Sequence, residues 1–369
     1  MAHEHLVIGI DLGGTNIRTA VVDRTGGIIA HDHRETLANE GPRAVISRMI
    51  EAARMVMAQA GVARCQVAEV GVGSPGPLDI EAGVALSPPN LPGWDRVPLR
   101  QLIEEGLGIP TTLENDANAA ALGEHRFGAG RGVDHMIYVT VSTGIGGGLI
   151  LGGELYHGAT GMAGEIGHIT ILPHGPLCGC GNRGCLEALA SGSAIARRAR
   201  EIVAHGVPTR IADLAGGDLD LITARLVADA AREGDVEAEG ILSEAMDYLG
   251  TGLASLVNLF NPQLVVIGGG LAHIGEWLFG PVRRAIKRRA FPAQAQAVRV
   301  VPAELGDHVG VLGAAAVAWC RLADQEERWE TALRALKQAE EAYAKRQHQP
   351  PGIMGSAGGG VYRSIPWHG

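Results

Sequence analysis

Long apolar runs are missing from this 369-residue chain: glycine, proline or charge interrupts each one before the roughly 18 residues a membrane-spanning helix needs, so no membrane partner is expected. No secretory leader is expected either. Met1 to His5 has no basic n-region and runs straight into the apolar segment at Leu6, which gives the expectation of a cytoplasmic protein. Positive charge is in deficit, with 31 Lys and Arg against 40 Asp and Glu and a net charge of -9. Such a surface repels a phosphodiester backbone, so no nucleic-acid partner is expected. The one dense basic stretch, Arg283 to Arg289, has Ala285 and Ile286 inside it, as on the solvated face of an amphipathic helix. Cysteine is scarce, at five residues. Cys65 and Cys320 stand alone in apolar surroundings and read as core, whereas Cys178, Cys180 and Cys185 fall close together and suggest a metal site in a reducing cytosol.

Glycine is what the chain has in excess: 54 residues, about double the usual share of roughly 7%. That points to backbone brought close to ligands. The length exceeds what one typical core fills, so two lobes with a ligand cleft between them are expected. Leu6 to Ile10 is an apolar run that ends at Asp11, turns through Gly-Gly-Thr and returns as Ile17 to Val22, a β-hairpin. Helical spacing over Arg43 to Ala60 is followed by a buried strand at Ala68 to Val72, a short strand at Thr111 to Glu114 and an alanine-rich helix from Asp116 to Glu124. A second hairpin, Met136 to Leu151, turns through Ser142 to Gly148 and repeats the logic of the first, as two related lobes would. Leu264 to Gly270 is an apolar strand ending in three glycines. The spacing then predicts a helix over Val309 to Cys320 closing the globular part, a separate charged helix over Ala323 to Arg346, and disorder from Gln347 on.

Backbone N–H groups in a glycine-rich turn can converge on phosphate oxygens because no Cβ blocks the approach, and a flanking Thr hydroxyl adds a donor. Gly13, Gly14, Thr15 and Asn16 fit that role, and Thr143, Gly144 and Gly146 repeat it in the second turn. An ordinary hairpin turn capped by Asp11 is the plainer reading of the first. Beside phosphates, the Asp11 carboxylate is tolerable only if it holds Mg²⁺ directly or through water. Gly71-Val72-Gly73-Ser74-Pro75-Gly76 matches the dinucleotide pattern G-x-G-x-x-G by letter, but Pro75 and Pro77 flank its last glycine and no helical pattern follows. The match is therefore rejected in favour of a rigid loop near substrate.

Cys178, Cys180 and Cys185 lie on a tight loop whose glycines let the thiols turn toward one point, and His168, ten residues upstream of the first, can complete a tetrahedral set. Four protein ligands leave no open position, so the zinc would be structural. The alternatives are a free-cysteine loop or a disulfide. A bound imidazole presents its other nitrogen as a fixed group, so the metal can orient His168, Glu165 and Glu187 around a polyhydroxyl ligand, although each Glu taken alone reads more simply as a solvated charge. Asp116, where a strand runs into a helix, reads as an N-cap or as a carboxylate that accepts the proton of an attacking hydroxyl, with Asn115 bonding the neighbouring hydroxyls.

Gly-Ile-Asp-Leu-Gly-Gly-Thr-Asn at Gly9 to Asn16, Glu-Asn-Asp-Ala-Asn at Glu114 to Asn118, Thr-Gly-Ile-Gly-Gly-Gly at Thr143 to Gly148, Glu-Ile-Gly-His at Glu165 to His168 and the cysteine loop together resemble the ROK family (repressor, ORF, kinase) over Val7 to Trp319. Within it they look like the bacterial glucokinases. The resemblance implies an α/β fold of two ribonuclease-H-like, actin-like ATPase lobes with an interdomain cleft. The expected boundaries are 1–117 for a small lobe with the first phosphate hairpin and 118–304 for a large lobe with the second hairpin, the zinc loop and an adenosine strand. A helix over 305–322 returns to the small lobe, and 323–369 is the charged helix and tail. The resemblance also implies Asp116 as general base, sugar contacts from Asn90, Asn115, Glu165, His168 and Glu187, and Gly269 and Gly270 among the nucleotide-binding residues. Glucose and ATP with Mg²⁺ are the expected substrates, a structural Zn²⁺ the expected metal, and a homo-oligomer, dimer or tetramer, the expected assembly. N-acetylhexosamine kinases share most of these motifs. Repressors of the family carry a DNA-binding module before the first hairpin, which here begins at Leu6; the expectation is that none precedes it.

Overall fold

The structure, a computed structural model, describes residues 5–347. Strands β1 (Leu6–Leu12) and β2 (Asn16–Val22) form the expected antiparallel hairpin, with Val7 opposite Val22 and Leu12 opposite Ile17. β3 (Ile28–Glu35) extends its edge and alternates half-buried with exposed residues, the pattern of a strand with one wet face. Helix α1 (Pro42–Ala60) opens on a proline and closes on Gly61 in the left-handed region, and it buries Val45, Met49, Ala53 and Val56 along one stripe. After β4 (Val67–Ser74) come a small ribbon of β5 (Leu78–Asp79) and β6 (Val84–Ala85), helix α2 (Leu99–Leu107) and β7 (Thr111–Asn115). The first sheet has the order β3-β2-β1-β4-β7, with β4 and β7 parallel to β1.

Helix α3 (Asp116–Phe127) leads into the second sheet, which begins as β8 (His135–Val141), β9 (Ile145–Leu151) and β10 (Glu154–Leu155). A helical layer follows: α4 (Leu186–Ala190), α5 (Gly192–Ala204), α6 (Arg210–Leu214), α7 (Ala224–Arg232) and α8 (Val236–Phe260). Then come β11 (Leu264–Gly268), α9 (Glu276–Arg289), α10 (Pro292–Ala297), β12 (Arg299–Pro302) and α11 (Val309–Gln347). The second sheet has the order β10-β9-β8-β11-β12, with β11 and β12 parallel to β8. It thus repeats the first, an antiparallel meander continued by parallel strands, and the echo between the two hairpins extends to whole sheets.

One apolar cluster fills the helical layer behind the second sheet and another lies under the first. A third joins Val7, Ala20 and Val22 of the first sheet to Met136, Tyr138 and Ile150 of the second through α3 and the start of α11. Glycine makes that junction possible. A Cβ on Gly9 would lie 2.2 Å from the carbonyl oxygen of Val311, and one on Gly71 1.8 Å from that of Ala314. α11 therefore sits directly on β1 and β4, and Gly71 of the rejected G-x-G-x-x-G pattern is a packing residue inside a strand.

Two expectations are corrected. No break separates the closing helix from the charged one: α11 is continuous from Val309 to Gln347, because good helix formers without glycine or proline span the junction. Its first turns belong to a unit, Met1–Leu322, that contains both sheets; in the described part of the second unit, Ala323 onward, Trp329 is exposed. Cys65 is exposed rather than in the core, because it lies on the turn Arg64–Gln66 before β4, and Cys320 is half-buried. The disorder expected from Gln347 on concerns residues 348–369, outside the described residues.

Candidate active site

Where β7 meets α3, Asn115 has extended backbone and its side-chain oxygen accepts the N–H groups of Ala117 at 3.0 Å and Asn118 at 3.2 Å. Asn115, not Asp116, is the N-cap. Asp116 occupies the first helical position, with Oδ1 receiving the Ala117 N–H at 2.8 Å. Its carboxylate opens onto a cleft of about 910 Å³, yet protein surrounds it at longer range. It stays reachable while losing bulk hydration, and that burial, with the Asp11 carboxylate as the next cause, raises its pKa to about 6. Asp11 is itself raised by burial, against the opposing effect of Arg18, whose Nη1 donates to Asp11 Oδ2 at 3.5 Å.

The same cleft is lined by Asn90, Asn115, Glu165, His168 and Glu187, so the five expected sugar contacts meet there with Asp116, the expected base. They come from distant places: the loop after β6, the β7–α3 junction, the helical turn Ile166–His168 and the start of α4. Glu187 is fixed by the second hairpin, since Ile145 N–H donates to its Oε2 at 2.9 Å. Glu165 is exposed at the mouth, 3.8 Å from His168 Nε2.

His168, Cys178, Cys180 and Cys185 converge, with ligand atoms all within 4.8 Å of one another, and could hold a metal ion. Cys180 and Cys185 Sγ are 3.7 Å apart, as are Cys178 Sγ and His168 Nδ1. A tetrahedron of thiolates about 2.3 Å from a zinc ion has edges of about 3.8 Å, so the donor set fits. Burial pushes the Cys185 thiol up to about 12 and Cys178 upward, while the Asn182 N–H holds Cys180 below the usual thiol value. Three clustered thiolates would need a cation, which a metal ion held by this donor set would supply. His168 thus turns Nδ1 to the cysteines and Nε2 to Glu165.

The two glycine turns are placed differently. Thr143 and Gly144 line the cleft, and Gly144 backs onto Glu187. Gly146 lines the cleft as well, but from within β9 and not from the turn: a Cβ there would lie 3.2 Å from Ala117 Cβ, and one on Gly148 2.6 Å from Ala121 Cβ. This run is glycine because the alanine face of α3 presses on it. Gly13, Gly14, Thr15 and Asn16 are not among the residues that wall the cleft; they meet it through Gly14, which backs onto Asn90. Gly269, at φ 83°, turns the chain out of β11, and Gly270 lines a second cavity of about 810 Å³. Ser193, Arg200, Thr223, Arg225 and Asp229 of that cavity were not singled out from sequence, because each reads as the polar face of an ordinary helix. Thr143 and Ser193 line both cavities, which therefore adjoin.

Two ribonuclease-H-like lobes with Asp116 at the cleft define an actin-like ATPase fold of the sugar-kinase type. The chain belongs to the ROK family, whose model matches residues 7–320. A glucokinase of Thermotoga maritima is 40% identical over 311 residues, 84% of this chain and 96% of that relative. Among solved structures, a ROK hexokinase from Thermus thermophilus is 41% identical with a TM-score of 0.73, covering 86% of this chain and 99% of its own. A ROK glucokinase from Streptomyces griseus in complex with glucose and AMPPNP is 38% identical with a TM-score of 0.71, covering 85% and 99%. A xylose repressor of Caldicellulosiruptor bescii is 34% identical over 84% of this chain and 77% of its own.

Proposed function

We propose that this chain is a glucokinase that transfers the γ-phosphoryl group of ATP to the 6-hydroxyl of glucose. The observation that carries the reading is Asp116: a carboxylate relieved of helix capping, with a pKa of about 6, in a cleft shared with five polar sugar-binding candidates. A base of that pKa is ionised at neutral pH and close enough to 7 to accept a hydroxyl proton in the transition state. As the 6-oxygen attacks the γ-phosphorus and ADP leaves, Asp116 takes the proton. Asn115, Asn90, Glu165, His168 and Glu187 hold the remaining hydroxyls and orient the attacking one. The second cavity, through Gly270, would take the nucleoside, and its wall shared at Thr143 supports a triphosphate lying toward Asp116. Mg²⁺ bound with ATP would supply charge neutralisation between β- and γ-phosphates. Asp11 would hold it, and Gly13, Gly14, Thr15 and Asn16 would reach the phosphates as lobes 1–117 and 118–304 close, excluding water.

Zinc is the metal that the donor chemistry of His168, Cys178, Cys180 and Cys185 fits, and its part is to fix His168. A reducing, cytoplasmic setting suits these free thiols. Self-association is proposed from Leu259 and Phe291, 75% and 71% exposed; Phe291 is bonded through its N–H to Asn258, the residue before Leu259. The experiment is a coupled assay of the pure protein with ATP and Mg²⁺ against glucose, N-acetylglucosamine, N-acetylmannosamine and fructose. Glucose turnover with the highest kcat/KM supports the reading, and preference for another hexose replaces glucose. The repressor relative favours a second reading, a sugar-responsive regulator. Glucose binding without turnover of any sugar would establish it instead.

A further inference from the structure

The loop from Tyr156 to Gly164 ends at Glu165, yet its His157 side chain reaches Glu114 at the end of β7. His157 Nε2 lies 2.7 Å from Glu114 Oε2, an ion pair whose carboxylate is 5% exposed. The other Glu114 oxygen receives the Asn115 N–H at 2.9 Å and the Asn118 side-chain amide at 3.1 Å. One buried carboxylate therefore holds three things: the backbone of the helix-capping residue, the first turn of α3, and a histidine from the second sheet's loop. The loop itself is closed, because Ala163 N–H donates to His157 O at 3.0 Å. Fixing His157 fixes Ala163 and so the Gly164-Glu165 backbone that follows.

We propose that Glu114 and His157 are a positioning pair, which fastens the loop carrying Glu165 to the β7–α3 junction carrying Asn115 and Asp116, and so sets the hexose site's shape. The proposal rests on the sugar-kinase reading above. Neither side chain is assigned to substrate; each acts through neighbours that face it. His157 is the ion-pair partner the structure gives this carboxylate, and its pKa is raised chiefly by that hydrogen bond, consistent with a charged pair. Loss of His157 leaves a buried carboxylate with only neutral donors and frees the closed loop. The nucleoside cavity is walled chiefly by α5, α7 and the turns after β8 and β11, and the hydrogen bonds given for Glu114 and the His157 ring reach none of them.

The test is steady-state kinetics of His157→Ala and His157→Gln in the full chain. His157→Ala should raise the hexose KM about tenfold or more, with kcat within about threefold and the ATP KM unchanged. His157→Gln, whose amide can still donate to Glu114, should recover most of the hexose affinity. Metal content and thermal melting of both variants show whether the protein is otherwise intact; at 41% exposure His157 is not a core residue. A hexose KM within twofold of wild type in His157→Ala overturns the proposal. So does a His157→Gln no better than His157→Ala, or a parallel rise in the ATP KM, either of which marks general damage. A wild type that phosphorylates no hexose overturns the kinase reading and this proposal with it, whereas an active wild type with an unaffected His157→Ala overturns the pair alone.

Discussion

Asn115 takes the capping role on α3 and leaves its neighbour Asp116 free to face the cleft, with one carboxylate oxygen anchored by the Ala117 N–H. The division of labour between adjacent residues explains how a carboxylate at a helix start can keep an orientation and still serve as a base. Asp116→Asn keeps the shape and removes the basicity, so kcat should fall by about 10² to 10⁴. The variant should fold at least as well as the parent. The folded-state pKa lies above the unfolded value, so at neutral pH the ionised form opposes folding and a neutral amide does not. A melting temperature equal to or above wild type, with near-normal kcat, would remove Asp116 from the mechanism.

The pH dependence follows with a definite sign. Asp116 must be ionised to accept a proton, so kcat should be full above its pKa and decline as pH falls through about 6. Replacing Asp11 with Asn removes a negative neighbour that raises Asp116, so the acid limb should shift to lower pH in whatever activity remains. Measuring kcat between about pH 5 and about pH 8 tests both, and an acid limb that stays in place in Asp11→Asn contradicts the coupling.

The fold was largely legible because its signals are local. Both hairpins, α1, β4 and α3 follow from periodicity and from Asp, Gly and Asn at element ends. What local reading missed are contacts between distant segments. A run of glycines reads as a turn, and only the packing of Ala117 and Ala121 against Gly146 and Gly148 places them in β9. The signal was present as an alanine-rich helix of matching small residues. Asn115 as cap was missed because Asp116 is an equally good capping residue by type, and only backbone geometry distinguishes them. Glu114 stands in the Glu-Asn-Asp motif, but its role is not legible there because its partner is His157, 43 residues away beyond another hairpin.

The cysteine cluster makes a stoichiometric prediction. Protein purified without added metal should carry one zinc per chain by elemental analysis. Cys180 is exposed, so Cys180→Ala removes a ligand without opening a core cavity. Zinc affinity should fall by about 10-fold or more. Because His168 bridges the cluster and Glu165, the glucose KM should rise as well. An unchanged glucose KM at reduced zinc content would separate the metal from the sugar site.

Gly71 and Gly76 occupy the same G-x-G-x-x-G hexapeptide, and the structure gives them opposite tolerances. A Cβ at Gly71 would lie 1.8 Å from the carbonyl oxygen of Ala314, backbone of the helix seated on the sheet, whereas one at Gly76 meets only the Asn115 amide nitrogen at 3.4 Å. Gly71→Ala must push α11 off β4, and overpacking of this kind costs about 1–3 kcal/mol or more. Gly76→Ala should cost far less. Neither glycine lines the nucleoside cavity, so the ATP KM of folded Gly71→Ala should stay at the wild-type value. Thermal melts and ATP titrations separate the two roles. A Gly71→Ala protein that melts like wild type but binds ATP poorly would make this segment the nucleotide loop its letters suggest, and would count against α11 as the element that joins the two sheets.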